Sequence, residues 1–156
     1  MIQIEIPGFK HLALNHLILD YNGTVACDGA LLPGVKERLD SLSNHITVHV
    51  LTADTFGRAR SFLEGIACEF SVIAKDNQEL GKLEYIRALD AGHTVCIGNG
   101  RNDRLMLKEA ALGIAVILEE GAAAKTLAAA DVVCTSIISA LDLLQHPLRL
   151  TATLRS

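Results

Sequence analysis

The sequence predicts an α/β fold, a three-layer α/β/α sandwich around a central, mainly parallel sheet. Short β-rich runs alternate with helical patterns, and the connections between them are short, as in successive βαβ units. The strand segments are apolar along their length rather than at alternate positions, which is typical of strands covered on both faces. The chain has no linker, internal repeat or low-complexity segment, and we expect residues 1–156 to form a single domain.

Seven segments have the composition of β-strands. They are IQIEI (2–6), HLILD (16–20), ITVHVL (46–51), EFSVIA (69–74), TVCIG (94–98), GIAVI (113–117) and DVVCT (131–135). The turn dipeptide Pro7-Gly8 separates the first two and predicts an N-terminal hairpin that adds an antiparallel edge to the sheet.

Six helical patterns follow or separate these strands. They cover residues 33–43, 55–66, 77–90, 102–111, 121–130 and 136–146. The first pattern opens with a proline and carries Val35, Leu39 and Leu42 at helical spacing. Pro147 is expected to end the last pattern, because proline cannot continue a helix.

Composition argues against several classes of protein. No segment approaches the roughly 18 apolar residues that a membrane span needs, and the N-terminus lacks the pattern of a signal peptide. The net charge of −4 is mild, and no block of basic residues points to nucleic acid. Cys27, Cys68, Cys96 and Cys134 form no Cys-x-x-Cys pair, which favours buried free thiols in a reducing compartment. We therefore expect a cytoplasmic protein without membrane or nucleic-acid partners.

Polar residues follow three of the predicted strands. HLILD ends in Asp20 and runs into Asn22-Gly23-Thr24, the next parallel strand is followed by Thr52-Ala53-Asp54, and TVCIG runs into GNGRND (98–103). Lys82 lies near the start of a predicted helix. Ligands of open parallel sheets bind outside the carboxyl ends of the strands, so these residues are expected to gather at one edge.

Each of these residues also has a plain structural explanation when it is taken alone. Asn-Gly pairs are common in turns, Thr or Asp often caps a helix, an acid is favoured in the first helical turn, and a helix lysine is usually solvated. These alternatives stay open for Asn22, Thr52, Asp54, Lys82, Asn99 and Asp103. The combination, however, favours phosphoryl transfer, because a carboxylate can attack phosphorus while a hydroxyl, a lysine and a hard cation offset the negative charge.

These motifs resemble those of the haloacid dehalogenase (HAD) superfamily, whose core is a Rossmann-like fold. Asp20-Tyr21-Asn22-Gly23-Thr24 is similar to its first motif, Asp-x-Asp-Gly-Thr, and VHVLTAD is similar to its second. IGNGRNDRLML resembles its fourth motif, Gly-Asp-Gly-x-Asn-Asp-x-x-Met-Leu, and Lys82 is the best match to the third, with Lys75 as an alternative. The resemblance covers residues 16–135, and the small proteins likened to a soluble P-type ATPase phosphorylation domain are the most similar group.

The resemblance implies a role for each matching residue. Asp20 would be the nucleophile that forms an aspartyl-phosphate, with Gly23, Thr52, Ala53 and Lys82 holding the phosphoryl group. A Mg²⁺ ion would bind to Asp20, the main-chain carbonyl of Asn22, Asn99 and Asp103, and Asp54 would be a further carboxylate near it.

Two asparagines depart from the family's pattern. Asn22 stands where the usual hydrolase has the aspartate that protonates the leaving group and then activates water, and an amide cannot exchange that proton. General acid–base help is worth roughly 10²–10⁴-fold, so turnover of ordinary phosphate esters is expected to be slow. Asn99 replaces a carboxylate ligand, so Mg²⁺ is expected to bind more weakly.

The intervals between the motifs leave no room for a folded cap domain. Members of the family without a cap have an open site, act on large substrates or use a neighbouring subunit as a lid. Residues 25–35 resemble the flap of the capless sugar-acid phosphatases, which are tetramers. The apolar segment after Pro147 would either contribute to an oligomer contact or pack on its own core.

Three functions compete for this sequence. The favoured one is a capless, slow, Mg²⁺-dependent phosphohydrolase or phosphotransferase acting on a phosphorylated small molecule or macromolecule. The alternative is a catalytically degenerate protein of the same fold that binds a phosphorylated ligand or regulates a partner. A receiver-like signalling domain also uses Asp, Thr and Lys at strand ends, but its acidic pair precedes the acceptor, whereas GNGRND comes last here.

Overall fold

A six-stranded parallel sheet forms the centre of the protein in the computed structural model, which describes residues 1–53 and 58–156. The strands in chain order are β1 (Ile2–Ile6), β2 (Lys10–Leu14), β3 (His16–Asp20), β4 (Ala26–Cys27), β5 (Ala30–Leu31), β6 (Thr47–Thr52), β7 (Glu69–Val72), β8 (Thr94–Gly98), β9 (Leu112–Val116) and β10 (Val132–Cys134). The sheet has the order β10-β9-β8-β3-β6-β7, and all of its neighbouring strands are parallel. The predicted parallel sheet is therefore confirmed.

Helices cover both faces of this sheet. They are α1 (Val35–Ser43), α2 (Arg58–Phe62), α3 (Gln78–Ala88), α4 (Arg104–Glu109), α5 (Ala124–Ala129), α6 (Ile137–Gln145) and α7 (Pro147–Leu154). One apolar core joins the sheet to α1 and α6, and a second core on the opposite face joins it to α3 and α4. This double coverage explains why every residue of β8 and β9 is buried and why their sequences do not alternate between apolar and polar residues.

The N-terminal hairpin is confirmed, but its second strand is β2, which the sequence analysis did not identify. Strands β1 and β2 pair antiparallel, with Ile4 opposite Leu12, and they form a separate two-stranded sheet. The hairpin therefore does not extend the edge of the parallel sheet. Its apolar side chains lie in the same core as α1 and α6, so burial on one face determines where it packs. The strand at 16–20, which follows the hairpin, lies near the middle of the parallel sheet.

The chain continues as a helix after Pro147, contrary to the expectation that this proline only ends a helix. Helix α6 ends at Gln145, and Pro147 occupies the first turn of α7. Proline is tolerated there because the first helical N–H groups have no intrahelical partner. Leu150 of α7 is fully buried, and the Thr151 hydroxyl donates to the Glu5 carbonyl at 3.4 Å. This part of the C-terminal segment thus packs on the core of its own chain.

The four cysteines are all free, but only Cys96 is fully buried. Cys27, Cys68 and Cys134 are partly exposed, so the expectation of buried thiols holds for one of the four. Within residues 1–53 and 58–156, no helix is both long and apolar enough to cross a membrane.

Gly113 in β9 lies against the end of α4 and provides a test of this packing. A Cβ atom at Gly113 would overlap the carbonyl oxygen of Leu107 and lie 2.9 Å from its carbonyl carbon. Because backbone atoms cannot rotate away, we expect Gly113→Ala to lower the free energy of unfolding by about 2 kcal/mol or more in urea titrations.

Gly92→Ala is the matched control for this substitution. A Cβ at exposed Gly92 would meet only the Asp90 carboxylate, at 3.3 Å. We expect its unfolding free energy to stay within about 0.5 kcal/mol of the parent value. Equal effects of the two substitutions would contradict the close approach of β9 and α4.

Candidate functional site at the carboxyl edge of the sheet

The carboxyl ends of three neighbouring strands form the site. Strand β3 lies between β6 and β8, so the residues that end these strands meet at one edge. Asp20 is the last residue of β3, Thr52 is the last of β6, and Asn99 directly follows β8. All three are buried. The structure thus brings these predicted site residues together.

Lys82 lies between two carboxylates beneath this edge. Its Nζ atom is 2.5 Å from Asp20 Oδ1 and 2.6 Å from Asp103 Oδ1, and its exposed fraction is 1%. Lys82 is therefore not a solvated helix lysine. Lys82 belongs to α3, and the packing of this helix on the sheet directs the ammonium group towards the strand ends. There Lys82 contacts both Asp20 and Asp103, and the three side chains form a buried ion triad.

The buried triad shifts the protonation of its members. Burial, together with the negative charge of Asp103, raises the pKa of Asp20 to about 7, although Lys82 and Thr24 favour the ionised form. Burial alone would lower the pKa of Lys82, but the two carboxylates outweigh burial and raise it above its ordinary value. A cation near Asp20 would favour its ionised form, because opposite charges at short distance stabilise each other.

Asp103 organises the turn after β8. Its Oδ2 atom accepts the N–H groups of Asn99 at 3.0 Å and Gly100 at 2.8 Å, while Oδ1 accepts from Lys82. The side chain is fully buried. Both oxygens of Asp103 are thus engaged within the protein, and the carboxylate lies behind the turn.

A hydrogen-bonded chain runs from Asp20 through Thr24 to Asn99. The Thr24 hydroxyl lies 3.2 Å from Asp20 Oδ2 and 3.3 Å from Asn99 Oδ1, while Asn99 Nδ2 donates to the Gly121 carbonyl at 2.9 Å. Thr24 is fully buried. Thr24 belongs to the first sequence motif, but the sequence predicted no role for it, although its position four residues after Asp20 was the available signal.

Gly23 permits the close approach of this turn to Asn99. Its φ of +78° lies in the left-handed region, and a Cβ atom there would overlap the Asn99 amide and lie 2.8 Å from its Cγ. Any larger residue would separate the turn after β3 from the turn after β8.

A cavity of about 460 Å³ opens above the triad. Its lining residues are Asp20, Asn22, Thr52, Ala53, Lys75, Gln78, Asn99, Gly100, Asn102 and Glu120. Lys82 and Asp103 are not among them, because they lie below the floor that Asp20 forms. Lys75, the alternative to Lys82, lies at the exposed rim. Asp54 lies outside the described residues.

Four lining residues received no role from the sequence: Gly100, Asn102, Gln78 and Glu120. The Asn102 amide donates to Gln78 Oε1 at 2.6 Å and joins the turn after β8 to the start of α3. Asn102 was within a quoted motif, whereas Gln78 and Glu120 carried no signal in the sequence.

The hairpin formed by β4 and β5 corresponds to the predicted flap. The backbone N–H of Asp28 at its tip donates to Glu120 Oε1 at 3.0 Å. Ligand atoms of Cys27, Asp28 and Glu120 lie within 4.8 Å of one another. All three residues are at least partly exposed, and such surface groups are common without an ion. The hydrogen bond from Asp28 to Glu120 does show that the flap tip lies next to the cavity, because Glu120 lines it.

The donor atoms that line the cavity suit a hard divalent cation. Asp20, Asn22 and Asn99 all line the cavity and offer carboxylate, carbonyl and amide oxygens, which are the ligands that Mg²⁺ prefers. Asp103 does not reach the cavity, and it would contact an ion only through water or by giving up one of its present hydrogen bonds.

Solved structures with this architecture identify the fold. The cobalt-bound deoxy-D-mannose-octulosonate 8-phosphate phosphatase of Haemophilus influenzae aligns with a TM-score of 0.72 at 14% identity, over 92% of this chain and 94% of that one. The 3-deoxy-D-manno-octulosonate 8-phosphate phosphatase of Moraxella catarrhalis, in complex with magnesium ion, phosphate ion and KDO, aligns with a TM-score of 0.66 at 14% identity, over 88% and 93%. The chain therefore has the fold of HAD superfamily hydrolases, and the described residues include no cap domain.

Sequence comparison adds a family relationship. The uncharacterized protein MJ0073 of Methanocaldococcus jannaschii is 43% identical over 83 residues, which cover 51% of this chain and 89% of that protein. The uncharacterized protein MJ0072 of the same organism is 49% identical over 39 residues, covering 25% and 89%. The chain belongs to the same family as MJ0073. No family model matches it.

Removal of the central ammonium should destabilise the protein. Lys82→Met would leave two carboxylates buried without their shared cation, and breaking a buried ion pair in this way costs about 3–5 kcal/mol. We expect a loss of this size in the free energy of unfolding, measured by urea titration at neutral pH.

Lys108→Met, which removes a charge from an exposed position on α4, is the control for Lys82→Met. It is expected to change the unfolding free energy by no more than about 0.5 kcal/mol. A similarly small effect of Lys82→Met would argue against the buried triad.

Proposed function

We propose that this protein is a Mg²⁺-dependent phosphohydrolase or phosphotransferase that acts through an aspartyl-phosphate on Asp20. The observation that carries the proposal is the position of Asp20 at the cavity floor, held from below by Lys82. A carboxylate fixed at the end of a strand and open on one side to a cavity can attack a phosphoryl group that enters from that side. The fold supports a phosphatase activity, since its solved relatives include phosphatases.

The neighbours of Asp20 suit the charge that develops during the attack. Lys82 engages Oδ1, and the Thr24 hydroxyl donates to Oδ2, so that the carboxylate has a fixed orientation. Thr52 and Ala53 line the same cavity, and they would hold the phosphoryl oxygens. Preorganised donors of this kind lower the barrier because they need no rearrangement during the reaction.

Asp20, the Asn22 carbonyl and Asn99 would hold the Mg²⁺ ion. When bound, the ion supplies positive charge that offsets the repulsion between the carboxylate and the phosphate. Asp103 would support this site from behind, because it fixes Lys82 and the backbone of Asn99. The Asn99 amide in place of a carboxylate ligand favours weaker binding than in a site where that ligand is an acid.

Asn22 makes departure of the leaving group the difficult part of the reaction. It lines the cavity beside Asp20, but its amide cannot donate a proton and recover it. Substrates with good leaving groups, such as acyl phosphates and nucleoside triphosphates, need little acid help. We therefore infer that such substrates react faster than alkyl phosphates and that turnover is slow.

The cavity suits a polar substrate. Apart from Ala53, its side-chain lining is polar or charged. The substrate would be a phosphorylated small molecule or an exposed phosphoryl group of a macromolecule, since the described residues form no cap over the site. Two further expectations, a cytoplasmic location and a homo-oligomeric assembly, stay predictions. The free cysteines agree with the first of them.

An acyl phosphate assay tests the proposed reaction. With acetyl phosphate and Mg²⁺, we expect slow phosphate release and a phosphoryl label that survives acid quenching and is removed by hydroxylamine, as for an acyl phosphate. Asp20→Asn should abolish both signals, because the amide cannot attack phosphorus. If the parent protein shows no more label or release than this variant, and both are folded by circular dichroism, the proposed enzyme is wrong and a phosphate-binding role is favoured.

Restoring the acid at position 22 should increase turnover. We expect Asn22→Asp to raise the hydrolysis of p-nitrophenyl phosphate by at least about 10-fold, because general acid–base catalysis contributes roughly 10²–10⁴-fold. Steady-state phosphate release measures this effect, with Asn15→Asp as a control for added charge away from the site. An unchanged rate in a folded variant would mean that residue 22 does not contact the transferring proton.

A further inference from the structure

Glu120 is the second carboxylate that lines the cavity. Among the lining residues of the described chain, only Asp20 and Glu120 carry carboxylates, since Asp103 lies below the floor. Glu120 belongs to the loop after β9, and the sequence analysis gave it no role. Asn22 lines the same cavity, so positions 22 and 120 both border the space that a phosphoryl group on Asp20 would occupy.

The structure holds Glu120 at the cavity from two sides. On one side, the flap residue Asp28 donates its backbone N–H to Glu120 Oε1 at 3.0 Å. On the other side, the loop of Glu120 is fixed to Asn99, because Asn99 Nδ2 donates to the Gly121 carbonyl and the Ala123 N–H donates to the Asn99 carbonyl, each at 2.9 Å. Asn99 in turn contacts Thr24, the hydroxyl partner of Asp20.

The second carboxylate oxygen of Glu120 is available for chemistry. No hydrogen bond to Oε2 is present among the described residues, and the side chain is exposed. Asp103 has no comparable carboxylate oxygen, because both of its oxygens accept hydrogen bonds from the protein. Glu120 can therefore accept a proton from a water molecule in the cavity and pass it to bulk solvent.

We propose that Glu120 is the general base that activates water for hydrolysis of the phosphoryl group on Asp20, in place of the acid absent at position 22. The proposal rests on the proposed function, because it requires the aspartyl-phosphate. It assigns Glu120 to the second half of the reaction only, since a carboxylate base has no proton to give to the first leaving group.

Water attacks the phosphorus of the aspartyl-phosphate. The oxygen of a water molecule forms a bond to phosphorus while one of its protons moves to the Glu120 carboxylate. The bond between phosphorus and the Asp20 oxygen breaks, and its electron pair returns to the Asp20 carboxylate. Inorganic phosphate leaves, and exposed Glu120 loses the proton to solvent.

Glu120→Gln separates the two halves of the reaction. The variant keeps an oxygen that can accept from Asp28 but cannot take up a proton. With acetyl phosphate and Mg²⁺, we expect the label on Asp20 to form at a rate within about 2-fold of the parent and to decay at least about 10-fold more slowly, as loss of a general base predicts. Rapid-quench measurement of label formation and decay gives both rates.

Glu119→Gln is the matched control, because Glu119 is exposed, adjacent in sequence and not part of the cavity lining. It should change neither rate by more than about 2-fold, whereas general-base loss predicts a far larger effect. In the double variant Asn22→Asp with Glu120→Gln, the new acid should restore fast decay of the label. If Glu120 only supports the fold of the flap, Glu120→Gln should slow decay by the same factor with Asn22→Asp as without it.

Three outcomes would overturn the assignment. Decay of the label at the parent rate in folded Glu120→Gln would show that another group activates water. Loss of label formation in that variant would assign Glu120 to substrate or metal binding instead. Slow decay in Asp54→Asn combined with normal decay in Glu120→Gln would transfer the role to Asp54. Absence of label in the parent protein, by contrast, would overturn the proposed function itself.

Discussion

The buried contact of Lys82 with Asp20 and Asp103 is the interaction on which the rest of the site depends. It joins α3 to the ends of β3 and to the turn after β8, and it lies below the cavity floor with almost no solvent exposure. Burial of unpaired charge is costly, so the three groups are tolerated only together. The same contact that stabilises the packing of α3 also fixes the carboxylate that faces the cavity, and stability and candidate chemistry therefore rest on one set of atoms.

Two asparagines, Asn22 and Asn99, line the cavity at this edge of the sheet. Asn99 Oδ1 lies 3.3 Å from the Thr24 hydroxyl, and Asn99 Nδ2 donates to the Gly121 carbonyl, so Asn99 joins the turn after β3 to the loop that carries Glu120. A carboxylate at position 99 could not donate to that carbonyl. The amide of Asn99 thus has a structural function at this edge, while Asn22 lies at the exposed side of the cavity.

Much of the fold could be predicted because its signals are local. Strands β8 and β9 are apolar and buried over their full length, and α1 has Val35, Leu39 and Leu42 at helical spacing, so the alternation of strands and helices follows from the sequence. Strand β2 was missed because it is only five residues long, begins with the polar residues Lys10 and His11, and lies beside a turn. Helix α7 was missed because Pro147 both follows one helix and begins the next, and a proline by itself does not distinguish these roles.

The sequence by itself determined which chemical groups stand at the strand ends: an aspartate at 20, amides at 22 and 99, and a threonine at 52. Once the chain folds as a parallel α/β sheet, these four residue types limit the reactions that the edge of the sheet can support. Only the tertiary structure decided that Lys82 rather than Lys75 contacts Asp20. It also decided that Glu120, about a hundred residues from Asp20 in sequence, lines the same cavity. The physical reason is that the packing of α3 positions Lys82 and the closure of the loop after β9 positions Glu120. Both processes depend on contacts between distant segments rather than on local sequence patterns.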